Sequence, residues 1–242
     1  MTRRTTTFAE RLLAFYRDLA PPRLRGTGVK AMYPYGSESV WRSTTLFFER
    51  YFSDNVERVF VFGINPGRFG AGASGVTFTD GVALTQLGIE NDLPRRRELS
   101  AEFVQEVIAR WGGPEDFYKS FFITAVSPLG FTKDGLNYNY YDSPALLKAV
   151  EPFIIETLWR QVALGARRHA AVVLGTGRNY QYLQRLNEKE RFFETLIPVE
   201  HPRFIMQYRR KRLDEFVQKY LTVLRGILAG AESTAPRVRR KA

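Results

Sequence analysis

Three short apolar runs and a fourth strand-like segment that ends in a loop constrain the fold of this chain more than any other feature. They read RVFVFGI, SFFITAV, HAAVVLG and ETLIPVEHP, and they begin at residues 58, 120, 169 and 194. A short run that is apolar at nearly every position is typical of a strand buried on both faces. Segments with helical spacing separate the runs, so the sequence predicts right-handed crossovers and a parallel sheet covered by helices on both sides.

The helical segments carry their own start and stop signals. Ser143 is a good N-cap, Pro144 suits the first helical position, and Gly165 closes the same segment. The other helices predicted from spacing cover residues 7–20, 38–54, 178–193 and about 206–228.

Composition limits the class of protein. A length of 242 residues with 44% hydrophobic content suits one core, so we expect one domain over 1–230 and a disordered basic tail over 231–242. No run reaches the length of a membrane span or a secretory signal, which predicts a cytoplasmic protein without membrane contact. We also expect a monomer. The absence of cysteine excludes thiolate and iron–sulfur chemistry, and two histidines make a metal site improbable.

The net charge of +11 and the sequence pI near 10.0 indicate a polyanionic partner. The tail from Ala231 carries only four basic residues and one glutamate, so most of this excess belongs to the folded body. A basic surface without a specific role is an equally open reading of the charge alone.

Ligands of parallel sheets bind beyond the carboxyl ends of the strands. In this sequence that rule selects the loops NPGRFGAGASGVTF, SPLGFTKDGLNYNYYD and EHPRFIMQYRRKR, together with the turn GTGRN. The turn lacks the third glycine of a dinucleotide-binding fingerprint, so an ordinary connection from strand to helix is the better interpretation.

The first loop places Asn65 at a strand end beside Pro66 and several glycines, which let a ligand approach the backbone closely. An ordinary glycine-rich connector with Asn65 as a cap explains the local pattern equally well. Phe78, thirteen positions later, is either a core aromatic or a stacking platform for a flat ligand.

The third loop begins with His201 and mixes apolar residues with bases. Phe204 and Met206 have the character of wedges, and Arg209 to Arg212 could bind phosphates. Proteins pry nucleotides out of a base stack with such combinations. The polar face of the last helix accounts for part of the basic run.

These motifs resemble the uracil-DNA glycosylase superfamily, in particular its single-strand-selective monofunctional branch and that branch's bacterial second clade. GINPGRFGAGASGVTF is similar to the first motif, HPRF to the second and FITAVSPLGF to the strand between them, from roughly Met32 to Leu228. The resemblance implies a three-layer αβα sandwich with a mostly parallel four-stranded sheet. It also implies an enzyme that flips a deaminated base out of single- or double-stranded DNA and hydrolyses its N-glycosidic bond without a cofactor.

The resemblance also assigns roles to residues. Asn65 matches the residue that positions the attacking water, Phe78 the residue that stacks on the base, and His201 the residue that supports the departing base. The other expected base-binding residues are Gly63, Ile64, Gly67, Ser127 and Asn139. The expected DNA-binding residues are Arg68, Pro202, Arg203, Phe204, Met206, Gln207, Arg209, Arg210 and Lys211.

One position departs from the branch. Ala125 aligns with an asparagine that reads the Watson–Crick edge of the base, so recognition passes to neighbours such as Ser127 or Asn139, or to backbone. Discrimination should then relax, which makes hypoxanthine and xanthine substrates to test beside uracil. Lys133 could act as a Schiff-base nucleophile, but a solvated loop lysine without lyase activity is the expectation.

Two other functions remain open on this sequence. One is a catalytically silent nucleic-acid binder of the same fold, although retention of Asn65 and His201 argues against it. The other is a hydrolase of small nucleotides that uses GTGRN. Release of bases from oligonucleotides separates these possibilities from the glycosylase.

Overall fold

A computed structural model describes residues 6–234, and in it four parallel strands form the central sheet in the order β3-β2-β6-β7. These strands are β2 (Arg58–Gly63), β3 (Phe121–Ala125), β6 (Ala166–Leu174) and β7 (Thr195–Val199). The predicted parallel four-stranded sheet is confirmed. A smaller antiparallel sheet, in the order β1-β4-β5, consists of β1 (Lys30–Met32), β4 (Gly130–Lys133) and β5 (Leu136–Tyr138).

Ten α-helices connect and cover the strands within the described residues. They are α1 (Phe8–Arg17), α2 (Glu38–Phe52), α3 (Ala71–Ser74), α4 (Gly81–Gln86), α5 (Leu99–Trp111), α6 (Pro114–Ser120), α7 (Pro144–Ala163), α8 (Arg178–Glu190), α9 (Pro202–Tyr208) and α10 (Leu213–Thr234). None of the helices in this part of the chain has the length and apolar character needed to cross a membrane.

Alternation along β2 produces the three layers. The ring of Phe60 lies 6.3 Å from that of Phe8 in α1, on one face of the sheet. Val61 points to the opposite face, where it lines the same apolar space as Val107 of α5 and Leu224 of α10. Burying apolar side chains on both faces is the main source of stability for such a sheet. The predicted αβα sandwich is therefore confirmed.

The last helix, predicted from about Met206 to Leu228, is present as α10, but its predicted start is wrong. The first residues of the predicted range belong to α9, a short 3-10 turn covers Arg210–Arg212, and α10 begins only at Leu213. The four consecutive basic residues from Arg209 include no apolar side chain, and none of the turn's residues is buried, so burial does not favour one long helix here. At the other end α10 continues to Thr234, and the rest of the predicted tail lies outside the described residues.

The small sheet brings the second loop to the carboxyl edge of the central sheet. Asp134 and Gly135 both have positive φ, 49° and 73°, as a tight two-residue hairpin turn requires. The backbone N–H of Arg68 donates to Oδ1 of Asn137 at 3.0 Å, and its guanidinium donates to the carbonyl of Gly135. These bonds attach the β4-β5 hairpin to the loop that follows β2.

Candidate active site

Asn65 lies two residues beyond the end of β2, and both ends of its carboxamide are bound. Its Oδ1 accepts the backbone N–H of Tyr140 at 3.0 Å, and its Nδ2 donates to the carbonyls of Tyr138 at 3.3 Å and Pro66 at 3.4 Å. Because a donor faces the oxygen and acceptors face the nitrogen, the amide has one orientation. A carbonyl oxygen can accept two hydrogen bonds, so Oδ1 can still accept one from water.

A cavity of about 160 Å³ lies beside Asn65, where β2 and β3 end. An engineered protein cavity of roughly 150 Å³ holds one benzene ring, so this space admits a six-membered ring. Eight residues expected at the site line it: Gly63, Ile64, Asn65, Gly67, Phe78, Asn139, His201 and Arg203. The other lining residues are Pro66, Ala71, Thr77, Glu98, Ser100, Ala125 and Asn137.

Gly63 ends β2 directly under the ring of Phe78. A Cβ at this position would lie 2.8 Å from Cε2 and 3.1 Å from Cζ of that ring, too close for carbon atoms. Phe78 itself has a φ of 53°, in the left-handed region that bulky residues rarely adopt. Such a conformation persists only where the surrounding structure holds it. The ring is therefore a fixed wall of the cavity.

His201 is the N-cap of α9, and its Nδ1 accepts the backbone N–H of Arg203 at 3.1 Å. Burial, with a smaller effect from the charge of Arg203, lowers the pKa of His201 to about 4. The ring is therefore neutral at neutral pH, and since Nδ1 is an acceptor the proton lies on Nε2. Its centroid is 5.9 Å from that of Phe78, so the cavity has an N–H donor next to an aromatic wall.

The reading wall, the part of the site expected to recognise the base through Ala125, Ser127 and Asn139, differs from the sequence prediction. Ala125 does line the cavity, and its carbonyl accepts from Nε2 of Gln161 at 3.3 Å. Ser127 does not line it, because its buried hydroxyl donates to the carbonyl of Leu129 at 2.8 Å. Asn139 is present, and its backbone N–H donates to Asp142 at 2.8 Å.

The segment after His201 is a helix rather than the loop expected from the sequence. Helical spacing turns Pro202 and Met206 inward, where both are buried, and leaves Phe204 41% exposed. Of the two predicted wedge residues, only Phe204 projects from the surface, and Met206 belongs to the core. The exposed Gln207 lies farther along the same helix.

The basic residues beyond α9 are exposed and differ in their partners. Arg210 pairs with Glu102 of α5 at 2.7 Å, and the guanidinium of Arg209 lies 5.4 Å from the centre of the Phe204 ring. Lys211 is exposed in the 3-10 turn. Exposed ion pairs contribute little to stability, so Arg210 can exchange its partner for a phosphate at low cost.

A second depression of about 440 Å³, the arginine groove, adjoins the cavity. Arg68 and Arg96 approach the ring of Phe69 within 4.3 and 3.7 Å of its centroid. The groove is lined by Arg68, Phe69, Arg96, Arg97, Glu98, Leu99, Ser100, Leu136, Asn137 and Arg203. Arg96 and Arg97 were not predicted as site residues, although they lie in the basic run PRRRE at residues 94–98.

Glu98 is a half-buried residue that was not predicted at the site either. A Cβ at Gly70 would overlap its Oε2, so that glycine makes room for the carboxylate. Removal from water raises the pKa of Glu98, and the negative charge of Asp80 raises it further. A hydrogen bond with Ser100 and the positive charge of Arg203 lower this pKa, but the net shift is upward. No local sequence pattern marks such a residue, because its surroundings come from distant segments.

Two further sequence hypotheses concern residues away from the cavity. Lys133 ends β4 with its Nζ 5.7 Å from the centre of the Tyr138 ring, and it lines neither depression. The GTGRN turn connects β6 to α8 and does not contribute to the lining of the cavity. Among the described residues no group of three or more acidic or histidine side chains could hold a metal ion.

Comparison with known proteins gives a consistent result. The family model of the uracil DNA glycosylase superfamily matches residues 50–225. A crystal structure of wild-type Pedobacter heparinus SMUG2 is similar with a TM-score of 0.89 and 38% sequence identity, covering 93% of this chain and 100% of that chain. A search of curated proteins finds no match.

Proposed function

The chain belongs to the uracil DNA glycosylase superfamily, in its single-strand-selective monofunctional branch, and from that premise we propose the reaction in detail. The enzyme flips a deaminated nucleotide into the cavity, hydrolyses its N-glycosidic bond and leaves an abasic site in DNA. Uracil is the primary base, and hypoxanthine and xanthine are further substrates.

The observation that carries this proposal is the meeting of Asn65, Phe78 and His201 around one cavity. The cavity has room for a six-membered ring, and the aromatic wall offers a stacking surface worth roughly 1 to 3 kcal/mol per base. The arginine groove beside it supports a path for the phosphates of the strand that carries the flipped nucleotide. The exposed Phe204 is suited to fill the vacated place in the base stack.

The chemistry follows from the side chains. Asn65 has no useful basicity, so it orients the attacking water through Oδ1 without deprotonating it. The glycosidic bond therefore largely breaks before water attacks, and negative charge accumulates on the departing base. The Nε2–H of neutral His201 stabilises that charge by hydrogen bonding, and loss of one such donor typically costs about 3 to 4 kcal/mol in the transition state.

The substrate range follows from the reading wall. Ala125 offers the base only a methyl group, and the hydroxyl of Ser127 is already bound. Reading then falls to Asn139, whose Nδ2 donates one N–H to Asp142 at 3.4 Å and leaves the amide oxygen and a second N–H for the base, with backbone groups as further partners. A site with few side-chain hydrogen bonds rejects related bases weakly, which supports release of deaminated purines as well as uracil.

The test is release of uracil, hypoxanthine and xanthine from single- and double-stranded oligonucleotides under single-turnover conditions. Asn65→Ala and His201→Ala should each lose most excision while keeping DNA affinity. Matched controls are Asn55→Ala and His169→Ala, since Asn55 contacts Arg11 and His169 contacts the carbonyl of Ile227. Excision by Asn65→Ala at the wild-type rate would refute the assignment, and excision of uracil alone would refute the relaxed reading wall.

The same assay distinguishes the alternative of a catalytically silent nucleic-acid binder, which would bind the oligonucleotides and release no base. Because Lys133 does not line the cavity, we expect no lyase step. Borohydride trapping of a covalent adduct between protein and DNA would contradict that expectation.

A further inference from the structure

Glu98 stands where the cavity and the arginine groove meet. It lines both, together with Ser100, Asn137 and Arg203. On the proposed function, the base occupies the cavity and the phosphates follow the groove. The deoxyribose that joins them must then lie against the residues that the two depressions share, and Glu98 is the acidic one.

Apart from its hydrogen bond with Ser100, the carboxylate of Glu98 has little structural role. Glu98 is the N-cap residue of α5, yet its side chain makes no capping hydrogen bond. Its backbone N–H is held by Oδ2 of Asp80 at 2.7 Å, so the main chain is anchored independently of the carboxylate. Among residues 6–234 Glu98 forms no ion pair, although Arg203 lines the same cavity. A half-buried negative charge is therefore left without a direct counter-ion.

The reaction supplies such a counter-ion. We propose that the carboxylate of Glu98 stabilises the positive charge that develops on the deoxyribose as the glycosidic bond breaks. The bond between C1′ and the base nitrogen breaks with its electron pair leaving on the base, and the oxygen of the water held by Asn65 then bonds to C1′. The water loses one proton and the base anion gains one, so the net reaction consumes one water. This inference rests on the proposed function and adds to it a charge that acts on the sugar rather than on the base.

A carboxylate at this place has opposite effects on the two steps of the enzyme. It favours the cationic sugar, because opposite charges attract strongly where water is excluded. It also repels the phosphates that Arg68, Arg96 and Arg97 attract. Substitution of a residue with a merely structural role would instead reduce DNA affinity, excision rate and stability together.

The experiment is Glu98→Gln, which keeps the shape and removes the charge. Single-turnover release of uracil should fall about 10- to 100-fold, while the Kd for the oligonucleotide stays the same or decreases. Glu98→Asp should restore part of the rate, because it returns the charge one methylene farther from the sugar. The control is Glu106→Gln on the same helix, whose carboxylate pairs with Arg110 at 2.6 Å and lines neither depression.

The pH dependence gives a second measurement, in which the rate of each protein is compared with its own rate at other pH values. The wild-type rate should fall as pH decreases and Glu98 takes up a proton, and Glu98→Gln should lack this decrease. The charged and titratable groups around Glu98 are Asp80, Arg203, His201, Arg68, Arg96 and Arg97. Of these, His201 has a pKa of about 4 and so stays neutral as the pH falls from 7 toward 5.

Three outcomes overturn the inference: a Glu98→Gln rate within threefold of wild type, a parallel loss of rate, affinity and Tm, or a wild-type rate that has not fallen by pH 4.5, the ordinary pKa of a glutamate, above which burial raises that of Glu98. If Glu98→Gln fails to fold, the excision rate of Glu98→Asp and the pH profile of the wild-type rate still test the inference. Absence of base release by the wild-type protein would instead refute the proposed function.

Discussion

Substitution of Gly63 by alanine tests whether the wall formed by Phe78 is as fixed as its geometry indicates. The new Cβ would lie 2.8 Å from Cε2 of that ring and 3.4 Å from the carbonyl oxygen of Thr124. Ordinary carbon contacts begin near 3.5 Å, so the ring must move by roughly 0.7 Å or the strand must shift. The carbonyl of Thr124 closes the other side, and the φ of 53° at Phe78 leaves its backbone little freedom. Overpacking of this kind typically costs about 1 to 3 kcal/mol of unfolding free energy.

The displaced ring should also reduce activity, because it moves toward the space of the flipped base. Losing a large part of one stacking contact, roughly 1 to 3 kcal/mol, corresponds to a decrease of about 5- to 150-fold in single-turnover excision. For a chain of this size, a loss of 2 kcal/mol lowers Tm by about 4 to 8 °C. DNA affinity measured by fluorescence anisotropy should change little, since Gly63 lies outside the arginine groove.

The matched control is Gly226→Ala in α10, where an added Cβ meets nothing within 4 Å. Alanine is the better helix former, so this variant should gain about 0.5 to 1 kcal/mol and excise uracil at the wild-type rate. If Gly63→Ala had the Tm and the excision rate of the wild-type protein, the ring of Phe78 would be free to move and would not be a fixed wall.

Three other predictions use different measurements. Phe204→Ala should reduce excision from double-stranded DNA more than from single-stranded DNA, because only a duplex leaves a gap to fill; equal losses would argue against a wedge. Arg96→Gln should lower the slope of log Kd against log salt by about 0.7 to 0.9, the value for one phosphate contact, and an unchanged slope would exclude the groove as the phosphate path. His201 has a folded pKa of about 4 against 6.5 ordinarily, so the unfolded state binds the proton more readily between these values. The contribution of His201 to the free energy of unfolding is therefore complete above pH 6.5 and decreases by up to about 3 kcal/mol toward pH 4. The reference is His201→Asn, which keeps a capping side chain. Urea midpoints that change in parallel for the two proteins over this range would refute the prediction.

The central sheet could be predicted because β2 and β3 are buried at every position and β6 is buried from Ala170 to Leu174, which leaves continuous apolar runs. The edge strand β7 is only partly buried and leaves a weaker pattern. The small sheet could not be predicted in this way. Its outer strands have three residues each, and Lys30 pairs with Thr132, about a hundred positions away. Asp134 and Gly135 were the one local signal for its hairpin. Helix α5 was missed although its buried Phe103 and Val107 stand at helical spacing.

The site shows the same division between local and distant determinants. Asn65, Phe78 and His201 lie in motifs with a spacing that can be read from the sequence. Glu98 acquires its position only when Gly70 and the start of α5 meet, which no local pattern records. Met206 was placed on the DNA side because its helix was expected to start there. Once α9 begins at Pro202, helical geometry turns Met206 toward the core.

The hydrogen bonds of Asn65 bear on how this protein could diversify. Every partner of its carboxamide is a main-chain group, from Pro66, Tyr138 and Tyr140. The side chain at 138 can therefore change without removing a partner of the amide. Tyr140 is held more tightly, because it is fully buried and its hydroxyl donates to Asn179 at 2.8 Å. The wall that faces the base, by contrast, is made partly of side chains that mutation can exchange. New substrate preferences can thus evolve on this scaffold while the hydrolytic step stays insulated from the changes.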